Sequence, residues 1–306
     1  MLRKILLIDD DRLQFRLTSA HFKTFATDQY ELEWASTYED GLKKLMTGEY
    51  VACLLDYQLG ERDGLQLIRE AVAGGCRTPI VFLTAETAAR VDVEAMNAGA
   101  LDYLVKGEIT PQAIERSLRY ALKLGDTLEA LRRLATRDQL TGMLNRREFD
   151  RIMDEERERA LRFGHGLALI MVDIDHFKSI NDTHGHPIGD VVLREVARRL
   201  TTQVRTVDRV ARYGGEEFGL ILVQSDPEGA LEVANRVCAA IAREPVLASD
   251  LLALHVTVSL GVAVLPDHSR TTPGLIAAAD KALYAAKGGG RNRAVLAPLS
   301  VPGAGK

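Results

Sequence analysis

The segment RYGGEEF, residues 212–218, brings two glycines and two acidic residues together between two apolar stretches. Gly214 and Gly215 predict a tight turn between two strands, because glycine readily adopts the positive φ angles that two-residue hairpin connections need. Adjacent strand residues point to opposite faces, so Glu216 and Glu217 have different surroundings. A purely structural hairpin is one interpretation, and a carboxylate site that binds a metal ion is the other.

A third acidic residue favours the metal site. Asp173 lies in the apolar segment at 166–177, which predicts a strand. If this strand neighbours the one that leaves the hairpin, Asp173 and Glu216 reach the same edge of the sheet. Two carboxylates with a backbone carbonyl are ligands that Mg²⁺ accepts together with substrate phosphates. Glycines would also let a nucleotide approach the backbone closely, because they have no side chain.

Basic and amide side chains elsewhere in this half fit a guanine nucleotide. Lys178, Lys287 and Arg291 could neutralise phosphate groups. Asn181 and Asp190 offer the hydrogen-bonding pattern that a guanine edge requires. An aspartate accepts from both N1–H and N2–H₂ of guanine, and adenine has no such pair of donors. Asp190 therefore argues against ATP as the substrate.

Polar residues at strand ends indicate a second site in the first half of the chain. Short apolar segments at 5–8, 51–55, 79–83 and 102–105 alternate with amphipathic stretches. This pattern predicts a parallel sheet covered on both faces, with its ligand site at the carboxyl ends of the strands. The polar residues that follow these segments are Asp9, Asp10, Asp11, Asp56, Thr84 and Lys106. Together they predict a hard-cation site with a nucleophilic carboxylate and counter-charges for a phosphoryl group.

Length and composition narrow the class of protein. A chain of 306 residues is about twice the size of a typical domain, so two domains are expected. The net charge of −4 argues against general binding to nucleic acid or to anionic membranes. The three cysteines lack CxxC spacing, which fits a reducing compartment, and no apolar run approaches the length of a membrane span. We therefore expect a cytoplasmic α/β protein without membrane insertion and without a nucleic-acid partner.

The first half resembles the receiver domain of bacterial response regulators, over residues 3–122. The resemblance implies a flavodoxin-like fold with a doubly wound, five-stranded parallel sheet, and a histidine kinase or phosphotransfer protein as partner. It implies that Asp56 is the phosphoacceptor and that Asp9 and Asp10 bind Mg²⁺ or Mn²⁺ together with it. The receiver switch residues that it implies are Thr84, Tyr103 and Lys106.

Two positions depart from the receiver pattern. Gly60 and Gly107 stand where the family usually has proline. At the position of Gly107, the proline of the family usually follows a cis peptide bond. The change at Gly107 could loosen the geometry of Lys106, which precedes it. The acceptor residues themselves match the family.

The second half, residues 137–297, resembles a GGDEF domain of the diguanylate cyclase family. The blocks that carry the resemblance are RDQLTGMLNRR, DIDHFKSINDTHGHPIGD, RYGGEEF, SLGVA and AADKALYAAKGGGRN, in this order. The resemblance implies an α+β fold like that of adenylyl cyclases and polymerase palms. It also implies the reaction, in which two GTP molecules condense to cyclic di-GMP and release two pyrophosphates with the help of Mg²⁺ or Mn²⁺.

The GGDEF resemblance assigns roles residue by residue. Asp173, Glu216 and the carbonyl of Ile174 would bind the metal ion, and Glu217 would assist deprotonation of the 3′-hydroxyl. Within the substrate site, Asn181 and Asp190 would recognise guanine and the basic residues would hold phosphates. The substrate-binding residues that the resemblance implies are Lys178, Asn181, Asp190, Gly214, Gly215, Lys287 and Arg291.

A second nucleotide site is expected just before the hairpin. Arg205 and Asp208 form an RxxD motif that, with Arg236, resembles the inhibitory product-binding site of GGDEF enzymes. Arginine can donate two hydrogen bonds to guanine or phosphate, and aspartate can accept from guanine. Cyclic di-GMP would therefore be both product and inhibitor. A turn closed by an exposed salt bridge is the alternative interpretation.

The segment between the halves predicts a helix that joins two protomers. Its apolar or small residues alternate three and four apart, at Ile114, Ser117, Ala121, Leu124, Leu128, Leu131 and Ala135. Beyond Leu124 no sheet is expected to remain for the helix to pack on, so the later part predicts a coiled coil. A homodimer fits the reaction, because each GGDEF domain would hold one GTP. We predict domains at 1–122 and 137–297, a helical linker at 123–136 and a disordered tail at 298–306.

Two other functions compete with the enzyme. A catalytically silent GGDEF domain that only senses cyclic di-GMP or GTP would normally show damage at the glycine pair, Asp173 or Glu216, and the sequence shows none. A transcription factor would need a helix-turn-helix with a basic recognition helix, and the second half lacks that pattern.

Overall fold

The computed structural model describes residues 2–25, 30–85, 89–249 and 251–299. The chain divides into two compact units, Met1–Arg132 and Arg133–Lys306. Most of the predicted tail, from residue 300 onward, lies outside the described residues. Within the described ranges, every helix is too short or too polar to cross a membrane.

The first unit is built around a parallel five-stranded sheet, as predicted. The strands of this unit are β1 (Arg3–Ile8), β2 (Tyr30–Ala35), β3 (Ala52–Asp56), β4 (Gln58–Leu59), β5 (Arg62–Asp63), β6 (Ile80–Thr84) and β7 (Asp102–Val105). The sheet order is β2-β1-β3-β6-β7, and each neighbouring pair is parallel. The helices are α1 (Arg12–Phe22), α2 (Tyr38–Leu45), α3 (Gly64–Ala73), α4 (Ala89–Ala98) and α5 (Pro111–Thr136), with a 3₁₀ turn at Lys106–Glu108.

Both faces of this sheet are buried, which explains its continuous apolar strands. In β1, Leu6 and Ile8 belong to the core on one face, and Ile5 and Leu7 belong to the core on the other. Strand β2 lies at the edge of the sheet and is mostly half-buried. Its sequence YELEWA alternates polar and apolar residues, so no apolar segment marks it in the chain.

Helix α5 is a single helix of 26 residues. The buried residues of its first part are Ile114, Ser117, Leu118 and Ala121. Its contact with the first unit continues further than predicted. A Cβ atom at Gly125 would lie 2.6 Å from Cγ of Pro79, and Arg77 Nη1 lies 3.5 Å from Glu129 Oε2. Beyond Leu124 the helix therefore contacts the loop before β6, a contact that the sequence pattern did not indicate.

The second unit contains a mixed five-stranded sheet. The strands are β8 (Leu167–Ile174), β9 (Arg209–Arg212), β10 (Glu217–Val223), β11 (Val246–Ser249), β12 (Leu252–Leu254), β13 (Val258–Leu265) and β14 (Arg293–Leu296). The main sheet has the order β14-β13-β8-β10-β9, and β8 is antiparallel to both β10 and β13. The helices are α6 (Arg146–Phe163), α7 (Phe177–His184), α8 (His186–Thr202), α9 (Pro227–Arg243) and α10 (Thr272–Gly288).

Local sequence determines where the helices of this unit begin and how closely they pack. The Asn145 side chain accepts a hydrogen bond from the backbone of Glu148 and so caps the first turn of α6. Helix α10 lies so close to β13 that a Cβ atom at Gly261 would be 2.0 Å from the carbonyl oxygen of Ala279. This close approach fixes α10, whose last turn carries Lys287, against the strand next to β8.

Candidate functional site

The hairpin between β9 and β10 differs from the predicted two-residue turn. Residues 213–216 connect the two strands, and the N–H groups of Tyr213 and Gly214 both donate to the carbonyl of Glu217, at 2.8 and 3.1 Å. Neither Gly214 nor Gly215 has a positive φ, so that prediction is wrong. A longer loop does not need the left-handed backbone of a two-residue turn.

Glycine occurs at positions 214 and 215 for two different physical reasons. A Cβ atom at Gly214 would lie 2.5 Å from Oε2 of Glu217, so a side chain there would displace this carboxylate. No described atom lies within 4 Å of a Cβ built at Gly215. The residue at the tip of the loop therefore leaves open space beside the acids, which suits the close approach of a ligand.

Strands β8 and β10 are neighbours, and this brings the predicted metal ligands together. Asp173 is 6% exposed and lies opposite Glu217 in the antiparallel register. The N–H of Ile174 donates to the carbonyl of Glu216 at 3.3 Å. Glu216 is the last residue of the loop rather than the first residue of the strand that follows, because β10 begins at Glu217.

The charges around Glu216 fit a site for a divalent cation. Burial and the charges of Asp173 and Glu217 raise the pKa of Glu216 above its ordinary value, and Lys287 opposes them. Lys287 Nζ lies 2.7 Å from Asp173 Oδ2. Closely spaced carboxylates with a nearby backbone carbonyl are the hard oxygen donors that Mg²⁺ or Mn²⁺ binds. The residues present therefore fit such an ion.

The proposed guanine-binding residues lie on two consecutive helices, α7 and α8. A Cβ atom at Gly189 would lie 1.9 Å from Oδ1 of Asn181, so the glycine is needed for the amide to fit. This Oδ1 is buried and has no hydrogen-bond partner among the described residues. A buried acceptor without a donor is costly, and a ligand N–H would satisfy it. Asp190, the residue after Gly189, is half-buried, whereas Lys178 is exposed on α7.

Two sets of hydrogen bonds near the candidate site were not predicted from the sequence. Arg212 donates to the carbonyl of Gly215 at 2.7 Å and also contacts Asp138, which lies far away in the chain. Asp175, two residues after Asp173, accepts three hydrogen bonds, from Thr257 just before β13, from Ser259 in β13 and from Asn292 after α10. The DID spacing at 173–175 was the only sequence signal for the second contact.

The RxxD residues come together at one pocket of ≈ 240 Å³, which Arg205, Asp208 and Arg236 all line. Asp208 accepts from the N–H of Val223 at 3.2 Å and from the N–H of Arg205 at 2.9 Å. Arg236 Nη2 donates to the carbonyl of Gln203 at 2.8 Å. The contact between Arg205 and Asp208 thus involves the arginine backbone, and the Arg205 side chain is exposed.

The predicted cation site of the first unit is assembled at the carboxyl ends of its strands. Asp9, Asp10 and Asp56 place carboxylate oxygens within 4.8 Å of one another. Lys106 Nζ lies 3.0 Å from Asp9 Oδ2 and 2.9 Å from Asp56 Oδ2. Three clustered carboxylates fit Mg²⁺ or Mn²⁺. The backbone carbonyl of Asp9 also accepts a hydrogen bond from the indole N–H of Trp34, at 2.8 Å.

The electrostatics of Asp56 agree with its prediction as a buried phosphoacceptor. Burial and the charge of Asp9 raise the pKa of Asp56 to about 6, although the hydrogen bond from Lys106 opposes this. Thr84 ends β6 and is 1% exposed, whereas Tyr103 in β7 is 39% exposed. Lys106 reaches both carboxylates even though Gly107 follows it.

Gly60 shows why proline is absent at that position. It has a φ of +66°, and its N–H donates to Asp10 Oδ2 at 3.0 Å. Proline has no N–H and its ring fixes φ near −65°, so it could supply neither feature. The glycine therefore allows the loop after β3 to contact one of the clustered carboxylates.

Comparisons with known proteins agree with both halves of this description. The family model for the GGDEF domain of diguanylate cyclases matches residues 135–293, and the model for the response regulator receiver domain matches residues 5–119. The chain is similar to the response regulator PleD of Caulobacter vibrioides, with 38% identity over 211 residues that cover 66% of this chain and 46% of PleD.

Further relatives match the second half. Diguanylate cyclase DosC of Escherichia coli is 39% identical over 162 residues, which cover 52% of this chain and 34% of DosC. The solved coiled coil and GGDEF domain of DgcB from Caulobacter crescentus, in complex with c-di-GMP, covers 61% of this chain and 98% of that chain, with 33% identity and a TM-score of 0.55. The chain spans less than half the length of the curated relatives PleD and DosC. With matching family models over both halves, the chain belongs to the GGDEF diguanylate cyclase family, and its first unit is a response regulator receiver domain.

Proposed function

We propose that this protein is a diguanylate cyclase that condenses two GTP molecules into cyclic di-GMP and two pyrophosphates. The observation that carries the proposal is the placement of Asp173 and Glu216 at one edge of the sheet, with Lys287 beside them. The kinship with DosC, which is named a diguanylate cyclase, supports it. The intact acids and glycine pair favour an enzyme over a silent nucleotide sensor.

The metal site would act on the α-phosphate of GTP. Asp173, Glu216 and the carbonyl of Ile174 would hold Mg²⁺ or Mn²⁺, and the ion would stabilise negative charge on the reacting phosphate and on the leaving pyrophosphate. Glu217, which lies opposite Asp173 across the strand pair, would accept the proton of an attacking 3′-hydroxyl. Gly215 would leave room for the nucleotide beside these acids, and Gly214 would keep the Glu217 carboxylate in place next to it.

The substrate would be GTP, because the buried Oδ1 of Asn181 and the half-buried Asp190 offer acceptors for the N–H groups of guanine. The triphosphate would be neutralised by three basic residues of α7 and of the α10 region, Lys178, Lys287 and Arg291. A GTP substrate and three free cysteines also fit a reaction in the cytoplasm.

The receiver domain would control the enzyme through phosphorylation of Asp56 by a histidine kinase or phosphotransfer protein. Asp9 and Asp10 would hold the metal ion that this transfer needs, and Lys106 already contacts Asp9 and Asp56. Thr84 and Tyr103 are the residues expected to respond to the phosphoryl group.

A homodimer would bring two GTP-loaded domains together, and α5 offers a surface for it. The exposed leucines on this helix are Leu124, Leu128, Leu131 and Leu134, with exposed fractions of 42%, 49%, 57% and 58%. Apolar residues spaced three and four apart on one helix commonly pair with a second copy. Cyclic di-GMP would in turn inhibit the enzyme by binding at Arg205, Asp208 and Arg236.

The proposal is tested by incubating the purified chain with GTP and Mg²⁺, with and without acetyl phosphate, and separating the nucleotides by chromatography. We expect cyclic di-GMP to form, and to form faster with acetyl phosphate. ATP in place of GTP serves as the substrate control and should give no dinucleotide. Absence of cyclic di-GMP both with and without acetyl phosphate would refute the proposed diguanylate cyclase activity.

A further inference from the structure

Asp175 is a buried acid with no role in the proposed mechanism so far. It follows β8, two residues after Asp173, and is 5% exposed. Its carboxylate accepts from Thr257 Oγ1 and Ser259 Oγ, both at 2.7 Å, and from the backbone N–H of Asn292 at 3.0 Å. These three donors occupy both carboxylate oxygens, so Asp175 is bound within the protein rather than directed toward the metal site.

The contact with Asn292 holds an unusual piece of backbone. Arg291 and Asn292 have φ angles of +61° and +45°. Residues with a side chain rarely adopt this left-handed region, and two in succession need support from outside the turn. Asn292 is also held through its side chain, because Cys238 Sγ donates to its Oδ1 at 3.3 Å. Asp175 therefore stabilises a turn that its own sequence disfavours.

This turn determines the direction of Arg291. The N–H of Arg291 donates to the carbonyl of Ala286 in α10 at 3.1 Å, and its side chain is exposed. At the other end of the same segment, Lys287 contacts Asp173 at 2.7 Å. Two acids that are two residues apart thus hold both ends of the segment that carries two of the proposed phosphate-binding residues.

We infer that Asp175 is a positioning residue for the triphosphate of the substrate. It holds Asn292 in place, so that the Arg291 side chain is directed toward the phosphate groups of GTP. The inference rests on the proposed function. Asp175 touches neither nucleotide nor metal ion in this scheme, and it acts through Arg291 alone.

The test is a double-mutant cycle that measures binding rather than turnover. Calorimetry with the full chain, Mg²⁺ and α,β-methylene GTP, which cannot release pyrophosphate, gives the dissociation constant. Asp175→Ala and Arg291→Ala are each expected to weaken binding about tenfold, and the double variant no further than Arg291→Ala alone, because both act through one contact. The inference would be overturned if Asp175→Ala weakened binding by the same factor in the Arg291→Ala background as in the wild type.

Two further variants separate positioning from general packing. Ser259→Ala removes one hydroxyl donor to Asp175 but keeps the Asn292 contact, and it should change affinity less than about twofold. A loss as large as that of Asp175→Ala would contradict a role through Arg291. Asp175→Asn keeps the side-chain volume, and its carbonyl oxygen can take the place of Oδ2, which accepts from Thr257 and Asn292. This variant should therefore bind the analogue within about twofold of the wild type. A tenfold loss in it would overturn the inference, because the contact that positions Asn292 is kept.

The outcomes distinguish this inference from the function on which it rests. A wild-type chain that does not bind the analogue would contradict the proposed function itself. Weaker binding by Arg291→Ala with unchanged binding by Asp175→Ala would contradict only the role of Asp175. Affinity for cyclic di-GMP at the separate pocket lined by Arg205 serves as the folding control, and it should be equal in all variants.

Discussion

The carboxylate of Asp138 and the guanidinium of Arg212 are hydrogen-bonded although 74 residues separate them in the sequence. Arg212 Nη1 lies 3.2 Å from Oδ1 and 3.1 Å from Oδ2 of Asp138. Asp138 also accepts from the N–H and the hydroxyl of Thr141, at 2.9 and 2.7 Å. Because the same guanidinium holds the carbonyl of Gly215, the tip of the hairpin between β9 and β10 is anchored to the segment before α6.

Replacing Asp138 by asparagine is expected to destabilise the GGDEF domain. The change removes a charged acceptor from a partly buried pair, so the free energy of unfolding at neutral pH should fall by about 1–3 kcal/mol. Urea denaturation followed by circular dichroism measures this. The matched control is Asp126→Asn, which changes an exposed acid on α5 and should leave the midpoint unchanged. Equal midpoints for the wild type and Asp138→Asn would show that the pair contributes nothing.

The same pair predicts a pH dependence of stability. Burial opposes ionisation of Asp138, but the Thr141 hydrogen bonds and the charge of Arg212 outweigh it and hold the pKa of Asp138 below its ordinary value. A group with a lowered folded-state pKa contributes stability above its unfolded pKa, and this contribution is lost as pH falls through the folded-state value. The wild type should therefore lose its advantage over Asp138→Asn below about pH 4. Denaturation midpoints from pH 6 to pH 3 check this convergence.

Glu216→Ala is expected to abolish synthesis of cyclic di-GMP without unfolding the domain. The residue is half-buried in a loop rather than in the core, and its proposed task is to bind the metal ion. Chromatography of the products and thermal unfolding measure the two effects. Glu228→Ala, at an exposed acid on α9, is the control and should keep full activity. If Glu216→Ala retains more than a few per cent of the activity, another group binds the metal.

Asp56→Asn should block phosphorylation by acetyl phosphate and leave the cyclase at its basal rate. Asparagine lacks the nucleophilic carboxylate, although its shape keeps the hydrogen bond from Lys106 possible. Intact-protein mass spectrometry detects the added phosphoryl group, and product chromatography gives the rate. If the variant gains a phosphoryl group as the wild type does, the phosphoacceptor is a residue other than Asp56.

Arg205→Ala is expected to weaken binding of cyclic di-GMP at least about tenfold while initial GTP turnover persists. Asp208→Ala should reduce affinity similarly, but it should also destabilise the domain, because its carboxylate holds the N–H groups of Arg205 and Val223. Calorimetric titration and thermal unfolding separate the two effects. Unchanged affinity in both variants would leave the RxxD motif as an ordinary turn.

Leu128→Asp is expected to weaken the proposed dimer, because a charge in an apolar seam would be buried without a partner. Sedimentation velocity over a range of protein concentrations measures the association. Val72→Asp is the matched control, since Val72 is also 49% exposed but lies on α3. If both variants change the dissociation constant of the dimer equally, α5 is not part of the dimer interface.

Patterns within short segments predicted much of the fold. The alternation of apolar segments with amphipathic stretches indicated the parallel sheet of the first unit. A parallel sheet places all carboxyl ends of its strands together, and this reasoning located Asp9, Asp56 and Lys106. In the second unit, Asp173 and Glu216 were expected at one edge because Asp173 ends one apolar segment and Glu216 directly precedes another.

Contacts between distant segments could not be predicted from those patterns. The hydrogen bond from Asn292 to Asp175 spans 117 residues, and apart from the DID spacing at 173–175 no local pattern marks it. The prediction of positive φ angles at Gly214 and Gly215 was wrong, because these angles depend on the length of the loop, which the sequence does not define. The long contact of α5 with the receiver depends on Gly125 fitting against Pro79, whereas helix propensity alone makes that glycine a weak point.

Trp34 is the only tryptophan in the chain, and it lies in the receiver domain. Its indole donates to the backbone of Asp9 and stacks on Phe15, with ring centroids 4.9 Å apart. Fluorescence excited where only indole absorbs therefore originates beside the carboxylates proposed to bind metal and phosphate, and the GGDEF domain contributes none of it. The protein thus contains its own optical reporter for one domain, so that the proposed cation binding and phosphorylation can be sought by emission separately from the proposed reaction of GTP in the other.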